Sequence, residues 1–577
     1  MKYYIPIACI ALLLSCAPEK PATSIETPTP YTINKTAKAS DGMVVSAHPL
    51  ATQVGIDVLE AGGNAYDAMI ATQFALAVVY PRAGNIGGGG FLVARLNDGS
   101  SIALDFREKA PKLAYRDMYL DSLGEVIPGL SRNGHLSSGV PGTVAGMYEI
   151  YERLGSFDSF AALIEPAYQI AQNGFQISQA EADRLNTYKA DFLTYNTRSN
   201  QFIEKEQWHA GDTLIQEDLA ESLKRIIDQG PAGFYEGKTA ELIVAEMKRS
   251  NGIMSLEDLK DYQAKWKLPV KGSYKDLNII SMPSPSSGGI ALIQMLGILE
   301  YLKLDELEHH DPLAMNAMIE AMRIAFEDRA NYLGDADFYP VPVDRLLDQA
   351  YLDNRISSFS FGDAGQSDPK GHSGIRIEME SFETTHTSII DQAGHAASLT
   401  TTLNSNYGSK VLVDGAGFFL NNEMDDFSAK PGVANIYGLV GSEANAIQAE
   451  KRMLSSMTPT IIEKEGQLYM VLGTPGGSAI ITSVLQVILN TTDFNMDLND
   501  AVQSGRIHHQ WLPDAVLYET GKLDTMLLND LKEMGYELVE KTSLAKIKAI
   551  QVLPDGVYYG VGDERNPDDH AQGINLN

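Results

Sequence analysis

Cysteine is almost absent from this sequence of 577 residues, which contains only Cys9 and Cys16. Both lie in the first 16 residues, so the rest of the chain has no disulfide and no cysteine nucleophile. A folded body without disulfides must be stabilised by its hydrophobic core alone. The chain is long enough for this, because its length exceeds what one simple core needs and indicates two domains or one large layered unit.

Basic charge is also scarce. Lys and Arg number 45 against 75 Asp and Glu, which gives a formal net charge of -30. We therefore predict no binding to nucleic acid, because phosphate recognition needs clustered Lys and Arg. A broad electrostatic contact with anionic lipids is disfavoured for the same reason. The hydrophobic fraction of 44% and the charged fraction of 21% are ordinary for a globular protein, so general disorder is not expected.

Long hydrophobic runs are missing as well. The apolar stretch from Ile5 to Leu14 follows Lys2 and has ten residues, too few to span a bilayer. Residues 13–16, Leu-Leu-Ser-Cys, resemble the lipobox of bacterial lipoproteins, in which the cysteine becomes the lipidated first residue. We therefore predict a lipoprotein signal peptide over residues 1–16 with lipid on Cys16. The alternative is a plain signal peptide.

The stretch that follows, residues 17–40, is rich in Pro, Thr, Ser and Lys. This composition predicts a flexible tether between the lipid and the folded body. The two segments together predict an exported protein that contacts the membrane only through its lipid anchor. We expect that anchor in a bacterial membrane, with the protein facing the periplasm.

Motifs for nucleotides and metal ions are lacking. The glycine run at 84–90 does not end in Gly-Lys-Ser/Thr, so we interpret it as close backbone packing and not as a phosphate loop. The acidic stretch Asn421–Phe427 lacks the spacing of a calcium-binding EF-hand. The adjacent His508 and His509 face different ways on a regular element and have no further ligand cluster nearby. The sequence therefore predicts no cofactor and no metal ion.

Alternating hydrophobicity and turn residues predict several β-hairpins. Four pairs of strands share this pattern: 91–95 with 102–106, 387–390 with 397–402, 460–463 with 468–473, and 550–553 with 557–561. Helical periodicity characterises residues 48–81 and most of 144–330. Hairpins imply antiparallel sheets, and helices must cover their faces. We therefore predict the α+β class, with a four-layer αββα sandwich and not a doubly wound parallel sheet.

Thr384 lies between a polar stretch at 361–376 and a predicted strand. A threonine in this position is usually structural. As a nucleophile, its hydroxyl needs an adjacent base, and a free α-amine on the same residue can be that base. The reference pKa of such an amine, about 7.7 to 8.0, suits general-base catalysis. That amine exists only if the Glu383–Thr384 bond is cut, so the catalytic interpretation requires self-cleavage there.

Three further stretches have both a structural and a functional interpretation. Arg107 follows a predicted strand and forms either a surface ion pair or a guanidinium fork for a substrate carboxylate. The carboxylates of Asn421–Phe427 form either a solvated turn or a site for an ammonium group. Gly473–Ser478 is either a tight turn or a set of outward-pointing N–H groups that suit an oxyanion. Taken singly, each stretch is more often structural.

In their order along the chain, these stretches resemble the γ-glutamyltranspeptidase family of N-terminal-nucleophile hydrolases. The resemblance extends from about Gly42 to the C-terminus, and it is specific because many short motifs occur in the same order. The motifs are Gly62–Ala65, Gly84–Gly90, Asp105–Glu108, Ser286–Gly289, Thr384–His386, Thr402–Asn404, Asn421–Lys430, Leu454–Met457 and Pro475–Ser478. The fold of this family is the αββα sandwich.

The resemblance implies that Thr384 cuts the bond after Glu383 and then acts as the nucleophile, with Thr402 positioning it. It also implies a large subunit, 41–383, and a small catalytic subunit, 384–577, intertwined in one heterodimer. The remaining implied roles are contacts to a glutamyl group: Arg107, Ser455 and Ser456 for its α-carboxylate, Asn404, Glu423 and Asp426 for its α-ammonium, and Gly476 and Gly477 for the oxyanion. Residues 431–442, with Tyr437, resemble the lid loop of bacterial members.

The implied activity is hydrolysis or transfer of γ-glutamyl groups, with glutathione and other γ-glutamyl amides as donors and water, amino acids or dipeptides as acceptors. Fixed charges of both signs at one end of the site demand a zwitterionic amino acid there. Three residues depart from the family pattern without removing a catalytic group: Glu423 replaces a frequent glutamine, Met453 a frequent proline and Thr387 a frequent aromatic residue. The alternatives are a cephalosporin or glutaryl acylase of the same family and a non-catalytic peptide-binding lipoprotein.

Overall fold

The computed structural model describes Met1, residues 30–368 and residues 382–576, with only the backbone for 382 and 383. The predicted signal peptide with Cys16 and most of the predicted tether therefore lie outside the described residues. The last residues of that tether, Thr36–Ala39, form a strand that pairs with Tyr558–Val561, so the folded body begins before residue 41. Within the described ranges, no helix combines the length and the apolar character that crossing a membrane requires.

Nearly all strands belong to two antiparallel sheets. In chain order the strands are β1 (Thr36–Ala39), β2 (Gly42–Ser46), β3 (Gly89–Arg95), β4 (Ser101–Asp105), β5 (Phe175–Gln176), β6 (Thr213–Leu214), β7 (Lys265–Lys267), β8 (Val270–Tyr274), β9 (Leu277–Ser281), β10 (Phe382–Asp391), β11 (Ala396–Ser405), β12 (Thr460–Lys464), β13 (Gln467–Gly473), β14 (Ile507–His508), β15 (Val516–Glu519), β16 (Leu538–Lys541), β17 (Lys548–Val552), β18 (Tyr558–Gly562) and β19 (His570–Ile574). The first sheet has the order β1-β18-β17-β13-β12-β9-β8, and the second has the order β19-β2-β10-β11-β3-β4-β7. The strands β14, β15 and β16 form a small third sheet, and β5 pairs with β6.

The α-helices lie between these strands along the chain. They are α1 (Pro49–Glu60), α2 (Ala65–Val79), α3 (Thr143–Leu154), α4 (Phe160–Asn173), α5 (Gln179–Tyr195), α6 (Glu217–Gln229), α7 (Ala232–Tyr235), α8 (Gly237–Met247), α9 (Leu256–Lys260), α10 (Gly288–Tyr301), α11 (Pro312–Tyr332), α12 (Val343–Leu346), α13 (Gln349–Ile356), α14 (Ala479–Thr492), α15 (Leu498–Gln503) and α16 (Thr525–Glu533). The break between α1 and α2 follows from local chemistry, because Asn64 and Asp67 form a reciprocal capping box at the start of α2.

Alternation of side chains along the strands produces four layers. On β3, Phe91 and Val93 pack between the two sheets, whereas Leu92 and Ala94 pack in the core that contains α1, α2 and α4. The first sheet packs in the same way against α10, α11 and α14 on its other face. Helices therefore cover both outer faces of two stacked sheets. The predicted α+β class and αββα layering are confirmed.

All four predicted hairpins are present, as β3–β4, β10–β11, β12–β13 and β17–β18. The start of β10 differs from the prediction, because the strand begins at Phe382 and not at Thr387. Its first residues continue the ladder with β11, and Thr384 is therefore part of the sheet. The glycine run before β3 is closely packed, as predicted: a β-carbon at Gly88 would lie 2.0 Å from the carbonyl oxygen of Thr402.

Strands from before and after residue 384 are interleaved in both sheets. In the first sheet β1, β8 and β9 come from the earlier segment and the other four strands from the later one. In the second sheet β11 lies between β10 and β3, so the two segments share a continuous ladder of hydrogen bonds. Two pieces cut at residue 384 would remain interlocked. The division into subunits itself stays a prediction.

Candidate active site

Thr384 lies on β10 opposite Thr402 on β11. The pairing register shifts between Phe382 and Thr384, so the ladder is irregular at the bond that the sequence predicts to be cut. Such irregularities redirect side chains and are frequent near active sites. Thr384 Oγ1 donates to Thr402 Oγ1 at 3.3 Å, and Thr402 Oγ1 accepts from the Asn404 N–H at 2.7 Å. The Thr402 hydroxyl is therefore held in a fixed direction beside Thr384.

The Thr384 side chain faces a small cleft. Ten of the predicted site residues line it: Arg107, Thr384, Thr402, Asn404, Glu423, Asp426, Tyr437, Ser455, Ser456 and Gly477. The fold thus brings together residues from distant parts of the chain. Gly476 is not among them: it lines a separate cavity with Arg184 and Lys546, and a β-carbon added to it would lie 2.6 Å from the Leu544 carbonyl oxygen.

Arg107 follows β4 and is fully buried, so the surface ion-pair interpretation is wrong. Its N–H donates to Asp105 Oδ1 at 3.0 Å, and its carbonyl accepts from the Tyr262 hydroxyl at 2.8 Å. The guanidinium lies between two carboxylates, with Nη1 2.6 Å from Glu423 Oε2 and Nη2 2.5 Å from Asp426 Oδ2. Glu423 is also fully buried, so the solvated-turn interpretation is wrong for this part of the acidic stretch.

Burial raises the pKa of the three carboxyl groups around Arg107. It raises the pKa of Glu423 well above its ordinary value and also raises that of Asp426, although Arg107 opposes both shifts. Glu108 Oε2 is 3.7 Å from Arg107 Nη1, and burial raises the pKa of this carboxyl to about 8. In the described part of the chain, neither Glu108 oxygen has a hydrogen-bond partner. One guanidinium facing three carboxyl groups favours an additional cationic group in the cleft.

The turn Gly473–Ser478 connects β13 to α14. Gly476 and Gly477 have φ angles of 150° and 56°, which favour glycine, so the tight-turn interpretation is correct. The functional interpretation is compatible with it. Among the residues that the structure describes, no acceptor is hydrogen-bonded to the N–H of either glycine. Unused N–H groups just before a helix suit a developing negative charge.

Two residues of the predicted lid, Tyr437 and Leu439, line the cleft. The Tyr437 hydroxyl donates to the Asn404 carbonyl oxygen at 2.6 Å and also contacts Asn404 Oδ1. Asn435 Nδ2 is 3.3 Å from Asp426 Oδ1. The stretch 431–442 is therefore hydrogen-bonded to two of the residues that the sequence assigns to the substrate ammonium.

Comparison with known proteins agrees with this geometry. The family model for Gamma-glutamyltranspeptidase matches residues 51–573. The chain belongs to the γ-glutamyltranspeptidase family. A glutathione hydrolase proenzyme of Escherichia coli (strain K12) is 42% identical over 574 residues, which cover 98% of each chain. A glutathione hydrolase proenzyme of Pseudomonas aeruginosa is 45% identical over 522 residues, which cover 89% of this chain and 92% of the relative.

Acylases share this fold. The crystal structure of cephalosporin acylase from Bacillus halodurans has a TM-score of 0.80 and 23% identity, covering 97% of this chain and 99% of that one. An acylase ACY 1 proenzyme of Pseudomonas sp. (strain V22) is 35% identical over 534 residues, or 91% of this chain and 92% of the relative. Membership of the γ-glutamyltranspeptidase family confirms the predicted enzyme class and synthesis as a proenzyme. The alternative of a non-catalytic peptide-binding lipoprotein is therefore wrong.

The cleft of this γ-glutamyltranspeptidase-family member also contains two residues that the sequence did not indicate, Arg329 and Ile480. Arg329, near the end of α11, donates from Nε to Ser287 Oγ at 3.1 Å and from Nη2 to Ser456 Oγ at 3.4 Å. Burial lowers its pKa to about 10, so it stays charged at neutral pH. Arg329 is therefore a second guanidinium behind the serine pair 455–456. No local motif marks it, because its contacts are distant in sequence.

The raised pKa of Glu108 predicts that folding stability depends on pH. This carboxyl has an ordinary pKa of 4.5, and in the folded protein it titrates near 8. As the pH rises through this window, the unfolded chain loses a proton that the folded protein keeps, so the free energy of unfolding falls and then levels off. The Glu108→Gln variant does not ionise. We expect its melting temperature to exceed that of the wild type by more at pH 8 than at pH 5. An equal difference at both pH values contradicts this account.

Proposed function

We propose that this chain is a glutathione hydrolase and γ-glutamyltransferase that matures by cutting its own peptide bond between Glu383 and Thr384. The observation that supports this best is Arg107, held between Glu423 and Asp426 in the cleft that contains the Thr384 side chain. Fixed charges of both signs fit the head group of an amino acid. When these charges bind the head group, the carbonyl group of the amino acid's side chain remains accessible to the nucleophile.

Maturation begins when Thr384 Oγ attacks the carbonyl carbon of Glu383, which forms an ester and frees the Thr384 amine. Water then hydrolyses the ester. Glu383 becomes a carboxylate chain end, and Thr384 becomes a new N-terminus with its hydroxyl restored. The products are a large subunit that ends at residue 383 and a small subunit, 384–577. They stay together as a heterodimer because their strands are interleaved in both sheets.

In the mature enzyme the Thr384 amine removes the proton from the hydroxyl of the same residue, which Thr402 positions. Oγ attacks the γ-carbonyl carbon of the donor, and the N–H groups of Gly476 and Gly477 stabilise the negative charge on the oxygen. The proton passes to the leaving amine as the carbon–nitrogen bond breaks, and a γ-glutamyl ester remains on Thr384. Water or the amine of an amino acid or dipeptide then attacks the ester and restores the hydroxyl.

When a zwitterionic donor binds, its two charged groups replace ion-pair partners that are already present in the cleft. Its α-carboxylate replaces Glu423 or Asp426 on Arg107 and also binds the serine pair 455–456. Its α-ammonium binds the displaced carboxylates and Asn404. Every buried charge keeps a partner in this exchange. A ligand that lacks one of the two charges leaves a buried group unpaired, at a cost of about 1–3 kcal/mol or more.

Two amides that differ only in the α-amino group test this proposal, γ-glutamyl-p-nitroanilide and glutaryl-p-nitroanilide. We expect kcat/KM to be higher for the γ-glutamyl amide by about 10²-fold or more, because the glutaryl amide brings no ammonium to the buried carboxylates. A preference for the glutaryl amide supports the acylase alternative. In the same assay, formation of γ-glutamyl-glycylglycine on addition of glycylglycine measures transfer against hydrolysis.

The proposal also places the enzyme outside the cytoplasm, anchored by lipid on Cys16 and connected by a tether from residue 17. The short apolar stretch and the lipobox-like residues 13–16 support this placement. Membrane fractionation of cells that produce the Cys16→Ser variant tests it. We expect that variant to lose the membrane association of the wild type.

A further inference from the structure

Gln510 does not line the cleft, yet it connects two of the segments that do. It lies after β14 and is 7% exposed. Its carboxamide contacts Ser478, which directly precedes α14, and Tyr437 of the lid stretch. None of the catalytic steps described above uses this residue.

The orientation of the Gln510 amide is fixed by its neighbours. Nε2 lies 3.1 Å from the Tyr437 carbonyl oxygen and 3.2 Å from the Leu512 carbonyl oxygen, and carbonyl oxygens only accept. Oε1 therefore points the other way, where Ser478 Oγ donates to it at 2.7 Å and His508 Nε2 lies at 3.0 Å. Burial lowers the pKa of His508 to about 3, so its ring is neutral and Nε2 carries the proton. All four hydrogen-bonding positions of the amide are used.

On one side, Gln510 holds the residue that precedes α14. Ser478 occupies the N-cap position of α14 but makes no capping hydrogen bond with its side chain. A serine at this position usually accepts from an N–H of the first helical turn. Here its hydroxyl donates to Gln510. The turn is therefore held from two sides: Ala479 and Ile480 of α14 donate from their N–H groups to the carbonyl oxygens of Gly476 and Gly477, and Gln510 holds the Ser478 side chain that follows.

On the other side, Gln510 fixes the lid residue that contacts the cleft. The carbonyl of Tyr437 accepts from Gln510, while its hydroxyl donates to the Asn404 carbonyl oxygen at 2.6 Å. The Asn404 N–H in turn donates to Thr402 Oγ1, which lies beside Thr384. A continuous series of hydrogen bonds therefore runs from the turn before α14, through the lid, to the nucleophile.

We propose that Gln510 is a positioning residue that couples the lid at Tyr437 to the oxyanion-binding turn at Gly476 and Gly477. Because a single amide holds both segments, the position of the lid over the glutamyl group is fixed relative to the N–H groups that receive the negative charge. This inference rests on the proposed function, since both segments are assigned there. It adds a residue whose loss affects substrate binding and chemistry together.

The Gln510→Glu variant tests the coupling because it keeps the shape and loses both N–H donors. We expect kcat/KM for γ-glutamyl-p-nitroanilide to fall by about 10–100-fold, with a higher KM and a lower kcat, since small displacements at a reacting centre have effects of this size. The protonated acid regains one donor. The deficit relative to the wild type should therefore shrink as the pH is lowered, which a merely space-filling role does not predict.

Gln572→Glu is the matched control, because Gln572 lies on β19 and donates to Gln53 on the surface. We expect its kcat/KM to stay within about twofold of the wild type, as for surface substitutions generally. Melting temperature and the two-fragment pattern on a denaturing gel establish that both variants fold and mature. A folded Gln510→Glu variant with wild-type kcat and KM overturns the inference.

A double-mutant cycle tests the coupling even if Gln510→Glu does not fold. Ser478→Ala removes the hydroxyl that donates to Gln510, and Tyr437→Phe removes the hydroxyl through which the lid residue held by Gln510 contacts Asn404. With Gln510 present, we expect their combined effect on kcat/KM to differ from the product of the single effects by about threefold or more. If the enzyme is active and the combined effect on kcat/KM equals the product of the single effects, the inference is overturned and the proposed function is not. A wild-type protein that does not release p-nitroaniline refutes the proposed function, and the inference with it.

Discussion

We expect Thr384→Ala to remain one uncut chain, of about 63 kDa before signal removal, and to hydrolyse γ-glutamyl-p-nitroanilide on the order of 10⁵-fold more slowly than the wild type, or not at all. The variant lacks both the hydroxyl that attacks Glu383 and the hydroxyl that attacks the donor, so the two losses have one cause. A denaturing gel and an initial-rate assay measure them on the same preparation.

Thr384→Ser is the matched control, because it retains a hydroxyl and gives the same α-amine after cleavage. We expect two fragments and measurable turnover, with a reduced rate. N-terminal sequencing of the small fragment should then begin at residue 384. Active wild-type material in which the bond between residues 383 and 384 is intact contradicts the mechanism.

Arg107→Ala is expected to lower kcat/KM by about 10³-fold, mainly through KM. The structure gives the reason, because Arg107 is the group that faces Glu423 and Asp426 and that receives the substrate carboxylate in the proposal. Removing one member of a buried, hydrogen-bonded charge pair typically costs 2–5 kcal/mol, and such a loss is shared by the bound substrate and the transition state. Michaelis curves for γ-glutamyl-p-nitroanilide separate the two parameters.

Two further variants serve as controls for the Arg107→Ala variant. Arg107→Lys keeps the charge but not the planar fork, so an intermediate loss is expected. Arg198→Ala removes an arginine whose side chain is 67% exposed and pairs with Asp414, and it should leave KM unchanged. If Arg107→Ala retains the wild-type KM, Arg107 does not hold the substrate carboxylate.

The hairpins were predictable because their signals are local. Alternating side chains and turn glycines define β3–β4 and β17–β18 within about 15 residues, and both pairs are present. The boundary of β10 was not predictable in the same way. Its first residues lack a regular apolar alternation, and they become strand because β11 provides a ladder for them. Pairing between segments decides such a boundary, and local propensity does not.

The burial of Arg107 was also not predictable from its local sequence. The stretch Asp105–Glu108 alone favours a surface ion pair, because isolated charges are usually solvated. The fold buries Arg107 completely and brings to it two carboxylates from more than 300 residues away. Arg329 and Gln510 were missed for the same reason, since their contacts join elements that are distant in the chain. Gly477 lines the cleft as expected, whereas its neighbour Gly476 lines a separate cavity, because the turn places the two glycines on different sides.

The sequence by itself determined which residues are chemically able to act, because short ordered motifs fix residue types and their local turns. It also determined the layering, because alternation along strands requires each sheet to be covered on both faces. Only the tertiary structure decided which charges meet, how deeply they are buried and which amide links Tyr437 to Ser478. Desolvation and hydrogen bonding depend on distances in space, and separation along the chain does not record those distances.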